Sequence, residues 1–277
     1  MDEPLEANRA LWDAWTRINL ASSLYDVEGF AAGRGRDLDP IALAGPGDVR
    51  GKSLLHLQCH FGMDSIRSAK HGARVTGVDF SGEAIAAARA LAARMKVPVS
   101  FVQSDVYDLP SRLEGRFDVV FTSHGILGWL PDLDRWAQVT AHFLAPAGIF
   151  FVVDAHPVLQ IFNDRLEEPD LRLLHPYFHD PEPVREEHTG CYSAPDAPIR
   201  SVEHVWLHKI SDVVGALLRA GLRIGAFDEY PFLGWAFFPW MEQGADGWWH
   251  LPEPPALPLG RGSLPLMFSL RASKDPR

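Results

Sequence analysis

The length, composition and charge of the chain exclude several classes of protein. Its 277 residues are 47% hydrophobic and carry a formal net charge of −10, so the chain has enough apolar side chains for a folded core. It lacks the cationic excess that sequence-independent binding to nucleic acid requires. Its apolar runs are far shorter than the roughly 20 residues that cross a membrane. We therefore expect a small-molecule partner, and neither nucleic acid nor membrane.

Two features predict a cytoplasmic location. The N-terminus has neither the positive start nor the apolar stretch of a secretory signal. The two cysteines, Cys59 and Cys191, stand in contexts that suggest no disulfide framework, which agrees with a reducing compartment. The sequence leaves open whether the protein is a monomer or a homodimer.

The chain begins with a predicted helix from Pro4 to Ile18. Proline suits the first turn of a helix, and large apolar side chains recur at helical spacing up to Trp15. We interpret residues 1–45 as an N-terminal helical cap. After the turn Gly45-Pro46-Gly47, β-rich runs begin to alternate with amphipathic segments.

Five β-rich runs with helix-length connections follow. The predicted strands are 53–58, 74–79, 99–104, 117–122 and 148–154, and the predicted helices are 62–71, 82–95 and 132–143. A helix between the third and fourth strands is expected from the alternation but is poorly marked in the sequence. This alternation predicts an α/β fold in which helices cover both faces of a parallel sheet.

The second half of the chain has a different pattern. Residues 156–205 are rich in prolines, aromatics and histidines, and we interpret them as an insertion that covers the substrate. A helix at 211–220 and a strand at 222–228 are predicted next. The last strand, 265–272, follows a long stretch without a convincing helix, and a strand reached without a helical crossover is more easily antiparallel. We predict one αβα-layered domain over 1–277 with a seven-stranded sheet, mostly parallel with an antiparallel last strand.

Polar side chains stand at the ends of the first three predicted strands, where ligands bind in open parallel sheets. The first strand runs into the turn His56-Leu-Gln-Cys-His-Phe-Gly62, whose single glycine suits a pyrophosphate poorly. Asp79 ends the second strand, where a carboxylate accepts hydrogen bonds from both hydroxyls of a ribose. Asp105 ends the third strand, at the height of an adenine amino group. Taken alone, each acid is equally explained as a helix cap or a turn former.

Together these residues resemble the class I methyltransferases that use S-adenosylmethionine. The resemblance covers most of residues 50–154 and the closing strands. The family's first motif, an acid followed by alternating glycines, aligns with residues 56–62, its ribose acid with Asp79 and its adenine-edge acid with Asp105. The run Phe117-Asp-Val-Val120 and the turn before Gly148 match as well.

The first motif departs from the family pattern. His56 replaces the acid that helps orient the amino end of the cofactor, and Gln58 and His60 occupy glycine positions. We suppose that Gln58 and His60 compensate. The resemblance implies a Rossmann-like fold, S-adenosyl-L-methionine as cofactor, and a cofactor-binding core at 46–155 that is completed by a C-terminal part at 206–277. The predicted cofactor-binding residues are His56, Gln58, Cys59, His60, Gly62, Asp79, Phe80, Ser81, Asp105, Val106 and Ser123.

Aromatic side chains are candidates for closing the site. Trp12 in the cap and Phe178 in the insertion are placed to cover the cofactor. The predicted substrate-binding residues are Trp15, Tyr25, Trp129, Tyr177 and Tyr192. The alternative is that these rings only attach the terminal pieces to the core.

Two histidines are candidate general bases. His124 follows the fourth strand, in a loop that borders the acceptor side in the resembling family, and an unshifted imidazole titrates near pH 6.5. His156 follows the fifth strand. The alternatives are a hydrogen bond from His124 to cofactor or backbone, and a turn role for His156 ahead of Pro157. Many methyl transfers need no dedicated base.

The sequence predicts no metal site. His204 and His208 are four residues apart, but residues 202–207 alternate like a strand and no compact third ligand follows. His175 and His179 lie among prolines and are better explained as a polar loop. Cys59, at the start of a predicted helix, is either a thiol of lowered pKa or a packing residue.

The predicted function is therefore methyl transfer to an oxygen, nitrogen or carbon atom of a small molecule, as in an enzyme that tailors a specialised metabolite. One alternative is an NAD(P)-dependent oxidoreductase, which shares the layered sheet and an acid at Asp79 but calls for a turn richer in glycine. The other is a non-catalytic module that binds S-adenosylmethionine.

Overall fold

The computed structural model describes residues 3–35, 37–178 and 181–275. Its strands in chain order are β1 (Ser53–Leu57), β2 (Arg74–Asp79), β3 (Val99–Gln103), β4 (Phe117–Ser123), β5 (Leu144–Ala155), β6 (Val184–Thr189), β7 (Arg200–Val205), β8 (Arg223–Tyr230), β9 (Glu242–Gln243), β10 (Trp249–His250) and β11 (Met267–Ser273). Its α-helices are α1 (Glu3–Ala21), α2 (Val27–Ala31), α3 (Pro40–Ala44), α4 (Met63–Lys70), α5 (Gly82–Met95), α6 (Leu133–Phe143) and α7 (Ile210–Arg219). None of these helices is long and apolar enough to span a bilayer.

Seven strands form one sheet in the order β3-β2-β1-β4-β5-β11-β8. The strands from β3 to β5 are parallel, whereas β11 pairs antiparallel with both β5 and β8. The predicted α/β fold, with a mostly parallel seven-stranded sheet and an antiparallel last strand, is confirmed. The strand order reverses between β1 and β4, and this reversal opens a crevice at their carboxyl ends.

β5 shows how the sheet divides the core, because successive side chains of a strand point to opposite faces. Phe150 and Val152 are buried in one cluster with residues of α6 and α7. Phe151 and Val153 are buried in a second cluster with Ala42 of α3 and residues of the last hundred positions. A strand that is apolar on both faces belongs in the middle of a covered sheet, as the sequence predicted.

The structure differs from the predicted elements in several places. β5 begins at Leu144 rather than Gly148, because the register shifts between β4 and β5 and Ala147 takes a left-handed conformation with φ of 62°. The connection from β3 to β4 contains only a 3₁₀ turn at Leu109–Ser111. Within the predicted insertion, β6 and β7 form an antiparallel hairpin.

The N-terminal helix α1 is attached to this hairpin by buried polar contacts. Asn8 donates to the carbonyl of His204 at 2.7 Å and accepts from the N–H of the same residue at 2.8 Å. The indole of Trp15 donates to the carbonyl of Gly190 at 3.2 Å. These hydrogen bonds therefore join α1 to a hairpin that lies far along the chain. The division of 1–277 into cap, core and insertion stays a prediction.

We expect Asn8→Ala to loosen α1 from the hairpin. Asn8 is fully buried, so its removal leaves both backbone groups of His204 without their partner, which costs about 1–3 kcal/mol of unfolding free energy. Urea unfolding measures this loss. Arg17→Ala is the control, since it removes only an exposed ion pair with Glu83 and should leave the midpoint nearly unchanged. Equal midpoints for wild type and Asn8→Ala would contradict this account.

Candidate functional site

A cavity of about 880 Å³ opens at the carboxyl ends of the central strands, within the range of small-molecule sites. Its walls come from the loop after β1, the ends of β2 and β3, the loop after β4, and aromatic residues of α1 and of residues 231–264. The cavity therefore lies where the strand order predicts a ligand site.

The loop after β1 follows a path that normally needs glycine. Gln58, His60 and Gly62 all have positive φ, at 54°, 52° and 78°. A left-handed conformation costs a non-glycine residue about 1–2 kcal/mol. Gly62 has no alternative, since a Cβ there would lie 2.7 Å from the ring of Phe101. Gln58 and His60 thus take left-handed conformations that glycine adopts at lower cost.

Asp79 holds this loop in place. Its carboxylate accepts hydrogen bonds from the N–H of His60 at 2.8 Å and from the N–H of Ser81 at 2.9 Å. Burial raises the pKa of Asp79 to about 6, although these hydrogen bonds act in the opposite direction. At neutral pH the group is mostly ionised, with lone pairs left for a ligand.

Asp105 lines the same cavity at the end of the neighbouring strand β3. It accepts from the N–H of Tyr107 at 2.8 Å. Burial raises the pKa of this carboxyl above its ordinary value. Two carboxylates on adjacent strand ends therefore face one cavity, as the sequence suggested.

His56 stands where the resembling family has an acid. Its Nδ1 lies 2.9 Å from the hydroxyl of Ser65 and its Nε2 lies 3.5 Å from that of Ser123. Burial lowers the pKa of His56 to about 4. The imidazole is therefore neutral at pH 7, and it contributes no charge to the cavity.

The loop after β4 is clamped by Asp154 at the end of β5. Its buried carboxylate accepts from the N–H groups of Gly125, Ile126 and Leu127. This bonding supports the left-handed conformations of His124 and Gly125, whose φ values are 43° and 75°. The clamp fixes the side of the cavity on which His124 stands.

His124 forms an ion pair inside the cavity. Its Nε2 donates to Asp39 at 2.8 Å, and Asp39 also accepts from the N–H groups of Ile41 and Ala42 as the cap of α3. Burial alone lowers the pKa of His124, but the hydrogen bond and charge of Asp39 outweigh it, so the pKa lies above its ordinary value. The Nδ1 of His124 is buried and has no hydrogen-bond partner among the described residues.

Aromatic rings close the cavity on two sides. On one side Trp12 contacts Trp15, Trp129 and His60 edge to face, with ring centroids 5.2–5.5 Å apart. The rings of Tyr25 and Tyr192 extend this cluster. On the other side, residues 231–264 contribute Trp235 and Trp248 to the wall, and the ring of Trp235 lies 5.7 Å from that of His124.

Most of the predicted site residues line this cavity. They are His56, Gln58, Cys59, His60, Gly62, Asp79, Phe80, Asp105, Val106, Ser123, His124, Trp15, Tyr25, Trp129 and Tyr192. Their roles stay predictions.

Three predicted residues, Ser81, His156 and Tyr177, lie outside the cavity wall and have other contacts. Ser81 donates to Asp13 of α1 at 2.6 Å and caps α5. His156 is buried, with Nδ1 accepting from the N–H of Val158 and Nε2 lying 3.1 Å from Glu229.

The third of these residues, Tyr177, accepts a hydrogen bond from the N–H of Ile210 through its hydroxyl. Phe178, which the sequence also placed over the cofactor, is 81% exposed and does not line the cavity.

Sequence reasoning missed several residues of the wall. Asp39 carried one signal, since an Asp-Pro pair often starts a helix. Asp64 stands in the first turn after the loop that the motif occupies, and so was close to the predicted site. Trp235 and Trp248 had no such signal, because they lie in a stretch without regular periodicity.

The described histidines of these two pairs do not gather as metal ligands. The Nε2 of His208 donates to the carbonyl of Leu130 at 2.9 Å, and His179 lies outside the described residues. Within the described ranges no three histidine, cysteine or carboxylate side chains are close enough to hold a metal ion. Burial raises the pKa of Cys59, which favours a packing role for this thiol over a reactive one.

We expect Asp39→Asn to lower the pKa of His124, because the charge that offsets its burial is removed. Histidine NMR titration measures the change. Asp37→Asn is the matched control: Asp37 also lines the cavity and pairs with a histidine, but that partner is His71. An unaltered titration of His124 in Asp39→Asn would show that the pair does not form in solution.

A comparison with known proteins matches the part of the chain that supplies the strand-end loops of this cavity. Residues 54–148 match the model of a methyltransferase domain. The ubiquinone biosynthesis O-methyltransferase of Alkalilimnicola ehrlichii is 33% identical over 136 residues, which are 48% of this chain and 55% of that protein. The enzyme of the same name from Escherichia coli O127:H6 is 30% identical over 137 residues, 48% of this chain and 56% of that protein. The chain thus matches about half the length of these curated relatives.

Solved structures share the fold over most of the chain. The S-adenosylmethionine dependent methyltransferase from Mesorhizobium loti matches 90% of this chain and 100% of its own length, with a TM-score of 0.51 and 20% identity. The DhpI–SAH complex matches 99% of this chain and 98% of its own length, with a TM-score of 0.56 and 18% identity. At these identities the likeness establishes the fold.

Proposed function

We propose that this chain, which carries a class I S-adenosylmethionine-dependent methyltransferase domain, moves a methyl group from S-adenosylmethionine to an oxygen atom of a small molecule. The observation that carries the proposal is the placement of Asp79 and Asp105 at adjacent strand ends, facing one cavity. The hydroxyls of a ribose and the amino group of an adenine are hydrogen-bond donors, and carboxylates accept from both.

The charges of the cavity wall favour this cofactor over a dinucleotide. Among the described residues of the wall, six aspartates face a single arginine, Arg67. A pyrophosphate brings two negative charges into this field, whereas a sulfonium brings a positive one. The loop after β1 argues in the same direction, because the side chains of Gln58 and His60 crowd the place where a pyrophosphate approaches the backbone. The residues present therefore fit S-adenosylmethionine.

The bound cofactor supplies an activated methyl group on a positively charged sulfur. The protein's contribution is to align the acceptor with that group and to exclude water. Ordered alignment lowers barriers by about 7–11 kcal/mol in favourable cases. The rings of Trp12, Trp129 and Tyr192 provide the apolar cover on the side of α1.

His124 is the residue that we assign to proton removal. When His124 is neutral, its Nε2 hydrogen is donated to Asp39 and the lone pair stands on Nδ1, where an acceptor hydroxyl finds a base. The hydrogen bond to Asp39 keeps the neutral imidazole in this tautomer and holds its orientation. The names of the curated relatives, which are O-methyltransferases, support oxygen as the acceptor atom.

Trp235, whose ring lies 5.7 Å from that of His124, and Trp248 in the same cavity wall favour a planar, largely apolar acceptor with a hydroxyl group. Such compounds are common among specialised metabolites, and we expect the enzyme to tailor one of them in the cytoplasm. A non-catalytic binding module remains the second candidate function, because Asp79 and Asp105 explain cofactor binding without turnover.

We expect S-adenosylmethionine and S-adenosylhomocysteine, but not NAD, to raise the melting temperature. A ligand at 100 times its Kd stabilises by about 2.7 kcal/mol, which is roughly 5–10 °C for a chain of this size. Differential scanning fluorimetry measures the shift. Asp79→Asn should abolish the response to both sulfur ligands, whereas Asp118→Asn, at an exposed acid of β4 outside the cavity wall, should retain it. A response to NAD alone would overturn the proposed function.

We expect His124→Gln to lower kcat about 100- to 10,000-fold, the usual contribution of a general base, and to leave cofactor affinity unchanged. An acceptor is first identified by screening hydroxylated aromatic compounds for S-adenosylhomocysteine release. Because the pKa of His124 is raised, wild-type kcat should increase with pH through a value above 6.5, and the variant should lose that dependence. A full rate in His124→Gln would remove His124 from the mechanism, and turnover of no acceptor by a protein that binds cofactor would favour the binding module.

A further inference from the structure

The amino end of the cofactor has no evident partner at the family's usual position. In the resembling family an acid at the end of β1 helps orient that end, and here the position is His56. This imidazole is neutral, and its two nitrogens face the hydroxyls of Ser65 and Ser123. The amino group of S-adenosylmethionine is positively charged at neutral pH, so a different side chain must offset its charge.

Asp64 carries a carboxylate to this part of the cavity. It lies in the first turn of α4 and lines the cavity beside the loop after β1. Its Oδ2 accepts from the hydroxyl of Ser123 at 3.4 Å, the same hydroxyl that faces His56. Its Oδ1 accepts from Arg67 at 2.7 Å, which fixes the orientation of the carboxylate. Asp64 therefore lies one hydroxyl away from the position of the missing acid.

Gln58 presents an unused acceptor in the same loop. Its Nε2 donates to the carbonyl of Ile126 at 3.3 Å, and this bond determines which way the amide points. Its Oε1 is buried and has no hydrogen-bond partner among the described residues. A buried acceptor without a donor costs free energy in the empty protein, and a ligand N–H removes that cost.

The other acids of the cavity wall have different partners. Asp79 and Asp105 accept from backbone N–H groups at the ends of β2 and β3. Asp39 pairs with His124. Asp37 and Asp246, whose own side chains are exposed, pair with His71 and His250. Asp64 is the acid of this wall that contacts Ser123 at the end of β4.

We propose that the carboxylate of Asp64 and the side-chain carbonyl of Gln58 together bind the ammonium group of the cofactor, in place of the acid missing from position 56. This inference rests on the proposed function. The carboxylate offsets the charge, and the carbonyl of Gln58 accepts one N–H. Asp64 thus replaces the charge of the family's acid, and Gln58, which occupies a glycine position of the family's motif, adds a hydrogen-bond acceptor.

The test compares ligands with and without the amino-acid end. S-adenosylhomocysteine carries it, and 5′-methylthioadenosine keeps the nucleoside and the thioether only. Isothermal titration calorimetry measures both affinities for wild type, Asp64→Asn and Asp118→Asn. The last variant removes one charge at an exposed acid outside the cavity wall.

Asp64→Asn should weaken S-adenosylhomocysteine about 10- to 100-fold, the effect of losing a charge-assisted hydrogen bond. Its affinity for 5′-methylthioadenosine should stay within about twofold of wild type, and Asp118→Asn should change the affinity for neither ligand by more than that. An equal loss for both ligands would mean structural damage, and no loss for either would mean that Asp64 makes no contact. Both results overturn the inference.

Wild-type protein provides a second measurement that needs no variant to fold. The analogue of S-adenosylhomocysteine without its amino group should bind about 10-fold or more weakly than the parent compound. Equal affinities would overturn the ammonium site while leaving the proposed function intact. If wild type bound neither S-adenosylhomocysteine nor 5′-methylthioadenosine, the proposed function itself would fail, and the inference with it.

The variant Gln58→Met tests the second proposed contact, that of the Gln58 carbonyl, on its own. The side chain keeps its length but loses the carbonyl, so S-adenosylhomocysteine should weaken about 3- to 10-fold, as for a neutral hydrogen bond, and 5′-methylthioadenosine should not. An unchanged affinity for S-adenosylhomocysteine would remove Gln58 from the site.

Discussion

The hydrogen bond from the N–H of His60 to the carboxylate of Asp79 joins the ends of β1 and β2, and the rest of the site depends on it. It holds the loop after β1 in left-handed conformations at Gln58 and His60, which such residues adopt only when the surrounding structure imposes them. The same carboxylate is buried at the wall of the cavity, and this burial raises its pKa to about 6. One side chain therefore shapes the loop and offers the ligand an acceptor.

The same kind of contact, an aspartate that accepts backbone N–H groups at a strand end, recurs along the sheet. Asp105 accepts a backbone N–H at the end of β3, and Asp154 accepts three of them at the end of β5. Each loop is fixed by an acid rather than by glycine-rich turns, and the cavity between the loops becomes strongly acidic as a result. An acidic cavity with aromatic cover suits a cationic cofactor. The aspartates at the strand ends thus determine both the geometry of the loops and the charge of the ligand that the cavity prefers.

The sequence predicted the sheet well because its strands are apolar on both faces and its strand ends carry acids, and both patterns are local. Asp79 and Asp105 were found in this way. Asp39 was missed because its role arises only when α3 brings it to His124, and Trp235 because a stretch without periodicity folds over the cavity. His156 lies outside the cavity wall, since strand position alone does not say that its Nδ1 accepts from Val158 and that its Nε2 lies near Glu229.

A crystal structure of the chain with S-adenosylhomocysteine tests the central claim most directly. The account predicts that both ribose hydroxyls lie within hydrogen-bonding distance of the carboxylate of Asp79 and that the adenine amino group faces Asp105. A nucleoside bound elsewhere, or bound in this cavity with its ribose away from Asp79, would contradict the account.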